Sequence, residues 1–250
     1  MSFNYQELKE KQTELVSQYC ILEGFGSIPV NLNSFVGQNI VRLVGYRVIQ
    51  ELYEADMVRR KYVAMRGEES IKQEFYEELV DAYFFFIELD IITDYGIEAN
   101  KDVYSAWNKL SQELVEPPSI NPENPPEIED LSLFLDKEWS TVFWNTTKAF
   151  CNLLQILRIR PWRPPEKDLD YVEFRARLLH AGHKLIELYS NQPRFLVSLR
   201  EEYLKKWEIN MARANVARKV FDTHPVLSNF ANTANVTNLL NNQPITRKEK

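Results

Sequence analysis

The sequence predicts an all-α protein: a bundle of long helices with an inserted helical and proline-rich middle region. Three observations carry this. Glycine is scarce, at 7 of 250 residues, whereas sheets and tight hairpins draw on glycine at their turns. Apolar residues recur at three- and four-residue steps over long stretches, the period of a helix with one buried face. No segment sustains the every-other-residue alternation of a half-buried strand. With 44% hydrophobic and 12% aromatic residues there is material for a sizeable core, and the length suits one large domain or a core with an insertion.

The elements follow in order. Residues 4–22 read as a helix, with Leu8, Leu15 and Ile21 among its apolar positions. Residues 23–34, with Gly24, Gly26 and Pro29, read as a loop. Over 35–65, Ile40, Leu43, Val44, Val48, Leu52 and Ala55 fall at helical steps, and Arg66-Gly67 breaks the pattern. A second long helix is predicted from Glu68 to Thr93, with Gly96 beyond its end. Residues 99–115 read as helical. Pro117, Pro118, Pro122, Pro125 and Pro126 then forbid a helix and predict an extended connector. An aromatic-rich helix is predicted over 129–158, a connector at Pro161, Pro164 and Pro165, and helices over 171–189 and 196–221. Residues 1–222 are therefore expected to form a single domain with 97–170 as its insertion. The Asn-rich residues 223–250 are expected to be a flexible tail.

Charge and composition narrow the function classes. A net charge of −6 and a pI near 5.3 argue against a general nucleic-acid binder, which is ordinarily basic. An acidic protein can still hold a polyphosphate if metal ions bring the positive charge. Cys20 and Cys151 are far apart, as in a reducing compartment. The N-terminus is polar, and the longest apolar run, Ala82–Ile92, is interrupted by Glu88 and Asp90. A soluble, cytoplasmic protein with no membrane partner is the expectation.

The chemistry is concentrated on two consecutive helices. One carries Glu51 and Glu54, the other Glu78 and Asp81. Positions three apart share a helix face, so each helix presents a pair of oxygen ligands on one stripe. Glu78 and Asp81 are set among Leu79, Val80, Ala82 and the aromatic run that follows, which favours partial burial. Antiparallel packing brings the pairs together. Carboxylates a few ångströms apart repel by about 4 kcal/mol per close pair at an effective dielectric of about 20. Such a cluster needs a proton or a cation, and hard oxygen donors select Mg²⁺ or Mn²⁺ over zinc.

The spacing Glu51-x-x-Glu54, 23 intervening residues, Glu78-x-x-Asp81 resembles the signature of the all-α nucleoside triphosphate pyrophosphohydrolases, which include MazG-type enzymes and dimeric dUTPases. The run Glu78-Leu79-Val80-Asp81-Ala82-Tyr83 is close to the dimeric dUTPase form, which usually has His where Phe84 stands. Downstream, Lys206, Asn210 and Arg213 step by four and three along one helical face. This segment is similar to the C-terminal dUTPase motif, whose Lys, Asn and Arg contact phosphates and sugar.

The resemblance spans about 8–95 and 171–216. It implies that Glu51, Glu54, Glu78 and Asp81 hold two or three Mg²⁺ ions, with Mn²⁺ able to substitute. Either Glu51 or Glu54 takes the proton of the attacking water, and Glu51 is preferred. Lys206, Asn210 and Arg213 bind substrate, and Gln12 touches the base. It further implies hydrolysis of a deoxynucleoside triphosphate to the monophosphate and pyrophosphate, with dUTP ranked first and dCTP or another deoxynucleotide next. The family's assembly is a homodimer, for which Tyr83–Phe86 offers an aromatic face. Val16 stands where the family's base-reading Asn is expected, and Val216-Ala217-Arg218 replaces a Gly-Tyr pair. The rival reading is a helical interaction or regulatory protein that keeps the scaffold without catalysis. His180 and His183 lack a third metal ligand, and Trp139, Trp144 and Trp162 are expected to pack rather than to stack on a base.

Overall fold

The helical periods of the sequence become helices. In the computed structural model, described over residues 5–22, 28–65, 69–94, 137–159, 168–190 and 193–223, six helices follow one another. They are α1 (Tyr5–Leu22), α2 (Phe35–Ala64), α3 (Glu69–Ile92), α4 (Lys137–Gln155), α5 (Tyr171–Ser190) and α6 (Pro193–Thr223). No strand occurs among the described residues. The helix expected at 99–115, the connectors at 116–127 and at Pro161, Pro164 and Pro165, the start of the aromatic helix at 129–136 and the tail after Thr223 lie outside them.

Local chemistry sets the boundaries. Ser34, in extended conformation (φ −110°, ψ 151°), caps α2 by accepting from the Gly37 N–H at 2.9 Å. Gly37 has no alternative there, because a Cβ would lie 2.0 Å from the Asn31 carbonyl oxygen. Asp170 caps α5 through the Glu173 N–H at 3.0 Å. The last helix begins at Pro193, three residues earlier than expected, because proline lacks only an N–H that the first turn leaves unused. The aromatic helix stops at Gln155 rather than 158. Beyond it, the Ile159 N–H donates to the Gln38 side-chain carbonyl at 2.9 Å, and Arg42 binds the carbonyls of Leu157 and Ile159, drawing the chain onto α2.

α2 and α3 form an antiparallel hairpin. Lys61 meets Glu74 (3.1 Å) at its loop end, the Arg47 guanidinium lies over the Phe85 ring (5.4 Å), and the Val30 N–H donates to the Ile92 carbonyl (2.8 Å) at the far end. Between them the two helices bury Val44, Val48, Leu52 and Ala55 against Phe75, Leu79, Ala82 and Phe86. Each large apolar side chain so buried contributes about 1.5–3 kcal/mol. Leu43, predicted on this face, is instead exposed. α4 packs on α2 and α5, and α1 lies against α3 and α6. Trp139 is in the core, edge-on to Phe75, with its indole N–H donating to Asp56 (3.2 Å), whereas Trp144 is exposed. Trp162 lies outside the described residues, and His180 and His183 are exposed.

A buried polar knot ties α1, α3 and α5 together. Asp90 receives Arg175 at 2.8 Å, Lys9 at 2.7 Å and the Tyr5 hydroxyl at 2.8 Å, while Arg175 also donates to Thr93 at 3.2 Å. The Asp90 carboxyl is held below the usual carboxylate range by Arg175 and Lys9, against a burial penalty that acts the other way. α6 is anchored by its first half, where Leu199 and Tyr203 are fully buried; beyond Ala214 its last turns are largely exposed, including Val216 and Val220.

Candidate functional site

The hairpin brings the predicted acids together. Carboxylate oxygens of Glu51, Glu54 and Glu78 all lie within 4.8 Å of one another, each side chain half-buried. Glu54 is steadied by the Gln50 amide one turn earlier (2.8 Å). Glu51 and Glu78 are close enough for each to shift the other's titration. Burial is the largest cause that pushes Glu51 up to about 8, followed by the charges of Asp81 and Glu54. Burial also raises Glu78, and its interaction with Glu51 opposes this. The donor set suits a hard divalent cation: three carboxylates from two rigid helices, at separations that contract onto an ion with metal–oxygen distances of about 2.1 Å. Glu51 is displaced upward first by burial and then by neighbouring negative charge, and a bound cation would offset both.

Asp81 departs from the expected quartet. Its Oδ2 accepts from Lys206 Nζ at 2.7 Å, and it stands outside the three-acid cluster. Burial raises its pKa, and the hydrogen bond from Lys206 opposes this. Asp81 is nonetheless near enough for its charge to act on Glu51.

The opposite bank comes from α6. Lys206, Asn210 and Arg213 line the same cleft as Glu51 and Asp81, a cavity of about 280 Å³. Arg213 Nη1 donates to the Asn210 side-chain carbonyl at 3.4 Å. Gln12 is buried at the cleft wall, its carbonyl oxygen accepting from the Tyr203 hydroxyl at 2.8 Å. Leu15, Tyr19 and Phe84 add an apolar side. All eight sequence-predicted residues thus border one cleft or its acid cluster.

Several details differ from expectation. The Tyr83–Phe86 run does not supply an exposed face: Tyr83, Phe84 and Phe86 are in the core of this chain, and Phe84 stacks on Tyr203 with centroids 4.2 Å apart. Val16 is packed in the core, so it leaves no polar group toward a base. Two charged cleft residues are not evident from the acidic and basic motifs, Arg47 and Glu88. Arg47 is one turn before Glu51, and Glu88 is seven residues after Asp81. Helical periodicity extended past the acidic motif would have placed both on the same faces.

Fold and cleft together define an all-α protein in which a carboxylate bank faces a cationic one. No protein-family model matches the chain, nor does any curated protein or solved structure. No helix among the described residues is long and apolar enough to cross a membrane.

Proposed function

We propose that the protein is a Mg²⁺-dependent pyrophosphohydrolase of deoxynucleoside triphosphates, with dUTP the first-ranked substrate and dCTP the second. The observation that carries this reading is the opposition of two banks across one cleft. Three carboxylates converge on α2 and α3, and Lys206 and Arg213 face them from α6. A triphosphate is a polyanion, and an acidic cluster can approach it only through divalent cations. Glu51, Glu54 and Glu78, joined by Asp81, are the residues that would hold them. Bound Mg²⁺ supplies charge neutralisation and makes a water more acidic.

Glu51 is the general base in this scheme. Its carboxylate borders the cleft within 4.8 Å of Glu54 and Glu78, where it would accept the proton of a water bound to a cation held there. The water oxygen bonds to the α-phosphorus, the bond from that phosphorus to the α–β bridging oxygen breaks, and pyrophosphate leaves. Lys206 and Arg213 stabilise the charge that develops on the phosphate oxygens. Asn210 would hydrogen-bond sugar or phosphate. Gln12, with its carbonyl fixed by Tyr203, is left to donate from its amide nitrogen to the base. The same reading includes a homodimer, through a face other than Tyr83–Phe86.

The test is pyrophosphate release by the pure protein from a panel of deoxynucleotides with Mg²⁺. Turnover of dUTP or dCTP to the monophosphate is expected. No turnover of any nucleotide ends the enzyme reading.

A further inference from the structure

Asp81 is the acid the structure sets apart. Three carboxylates converge within 4.8 Å, while the fourth is bound to a lysine from a different helix, Nζ to Oδ2 at 2.7 Å. Both partners are largely shielded, with side-chain exposures of 28% and 20%. Their contact spans 125 residues of sequence, so it is made by the fold. Lys206 reaches it on a four-carbon stem, a mobile point charge that can change partner without moving its helix. Arg213, on the same face, donates instead to Asn210. Of the two cations that α6 brings to the cleft, one is thus committed to an acid and the other is engaged with a neutral amide.

Building on the pyrophosphohydrolase reading, we propose that Lys206 is a latch on Asp81. Its ammonium occupies the fourth carboxylate until triphosphate oxygens draw it away, so that Asp81 joins the cation-binding set only when nucleotide is present. The three-acid cluster is then the resident cation site, and Asp81 completes a substrate-dependent one. Thermodynamic reciprocity follows: nucleotide strengthens cation binding by the same factor as the cation strengthens nucleotide binding. The ion pair also offsets the charge of one of the four acids when no nucleotide is bound. A cleft emptied of substrate keeps a counter-ion of its own, and that counter-ion is the group that will later meet the phosphates.

The inference is tested with Mn²⁺ alone, by calorimetric titration of the full-length, metal-stripped protein. The proteins compared are the wild type, Lys206→Met, Asp81→Asn and the double variant, with Lys206→Arg as a control that keeps the pair. Removing the latch frees Asp81, so Lys206→Met is expected to bind Mn²⁺ about tenfold more tightly than wild type, and Lys206→Arg to resemble wild type. In the Asp81→Asn background the lysine substitution is expected to change nothing, because the double-mutant cycle isolates the pair. Wild-type affinity in Lys206→Met overturns the latch. So does an equal gain with and without Asp81, which would mark through-space charge alone. If none of the proteins binds Mn²⁺, the metal-site reading falls first and the latch with it.

Discussion

Asp90 and Arg175 form an ion pair in which both side chains are wholly inaccessible, Oδ1 to Nη2 at 2.8 Å. The pair fixes the C-terminal end of α3 against α5, and Lys9 and Tyr5 bring α1 to the same carboxylate. α3 carries Glu78 and Asp81 and α1 carries Gln12, so this knot sets the positions of two walls of the cleft. Breaking such a pair from one side leaves a buried charge short of compensation. Arg175→Met is expected to destabilise the protein by about 3–5 kcal/mol. Urea denaturation checks it, and a loss below about 1 kcal/mol would show that Lys9 and Tyr5 alone satisfy Asp90.

Glu51→Gln separates chemistry from fold. The amide keeps the shape and removes the base, so turnover should fall by about 10²–10⁴. In the metal-free state at pH 8 the variant should melt at the wild-type temperature or higher, since a charge that burial and Glu54, Glu78 and Asp81 disfavour is gone. Steady-state kinetics and a thermal melt on one preparation suffice. Retained turnover would remove Glu51 from its assigned role.

The acid cluster makes stability depend on pH in a definite direction. Glu51 rises from 4.5 to about 8 on folding, so between these values the folded chain holds a proton that the unfolded chain has released. That contribution is complete below about 4.5 and is lost as pH rises through about 8. Glu78 and Asp81, also raised, act in the same sense. Asp90 is lowered and acts oppositely, its contribution being lost on acidification. Melting temperatures in chelator should therefore decline from pH 5 toward pH 8, and Mg²⁺ should reverse the decline. A flat profile, or no effect of Mg²⁺ at pH 8, counts against the cluster as a cation site.

Arg213 is exposed and partnered only weakly, so its removal should leave the fold intact. Arg213→Ala is expected to lower kcat/KM by about 10- to 1000-fold if the side chain meets the developing phosphate charge. Thermal stability should change by no more than about 0.5 kcal/mol. Unchanged kinetics would assign the phosphate contact to Lys206 alone.

Much of this arrangement was legible in the residues. The i, i+3 acid pairs and the four-and-three spacing of Lys206, Asn210 and Arg213 survive because helical periodicity is a local rule, and a hairpin of two long helices leaves few ways to pack them. The Asp81–Lys206 contact was not legible, since it joins helices 125 residues apart. The same holds for the Asp90 knot: a charge inside an apolar run does not announce its partner. Tyr83–Phe86 was misplaced for a related reason. Periodicity finds an apolar face but does not say whether it meets another helix of the same chain or another molecule, and here α6 supplies Tyr203 to cover it. Arg47 and Glu88 were missed because the helical face was followed only as far as the acids.

α6 is rooted in the core at Leu199 and Tyr203 and largely uncovered past Ala214. Mechanically it is clamped at its root. Lys206 sits close to the clamped root, where bending is smallest, and Arg213 sits about two turns further along, next to the buried Ala214. Amplitude of motion should grow from Tyr203 toward Val220, so that a bound polyanion is gripped by one stiff finger and one compliant one.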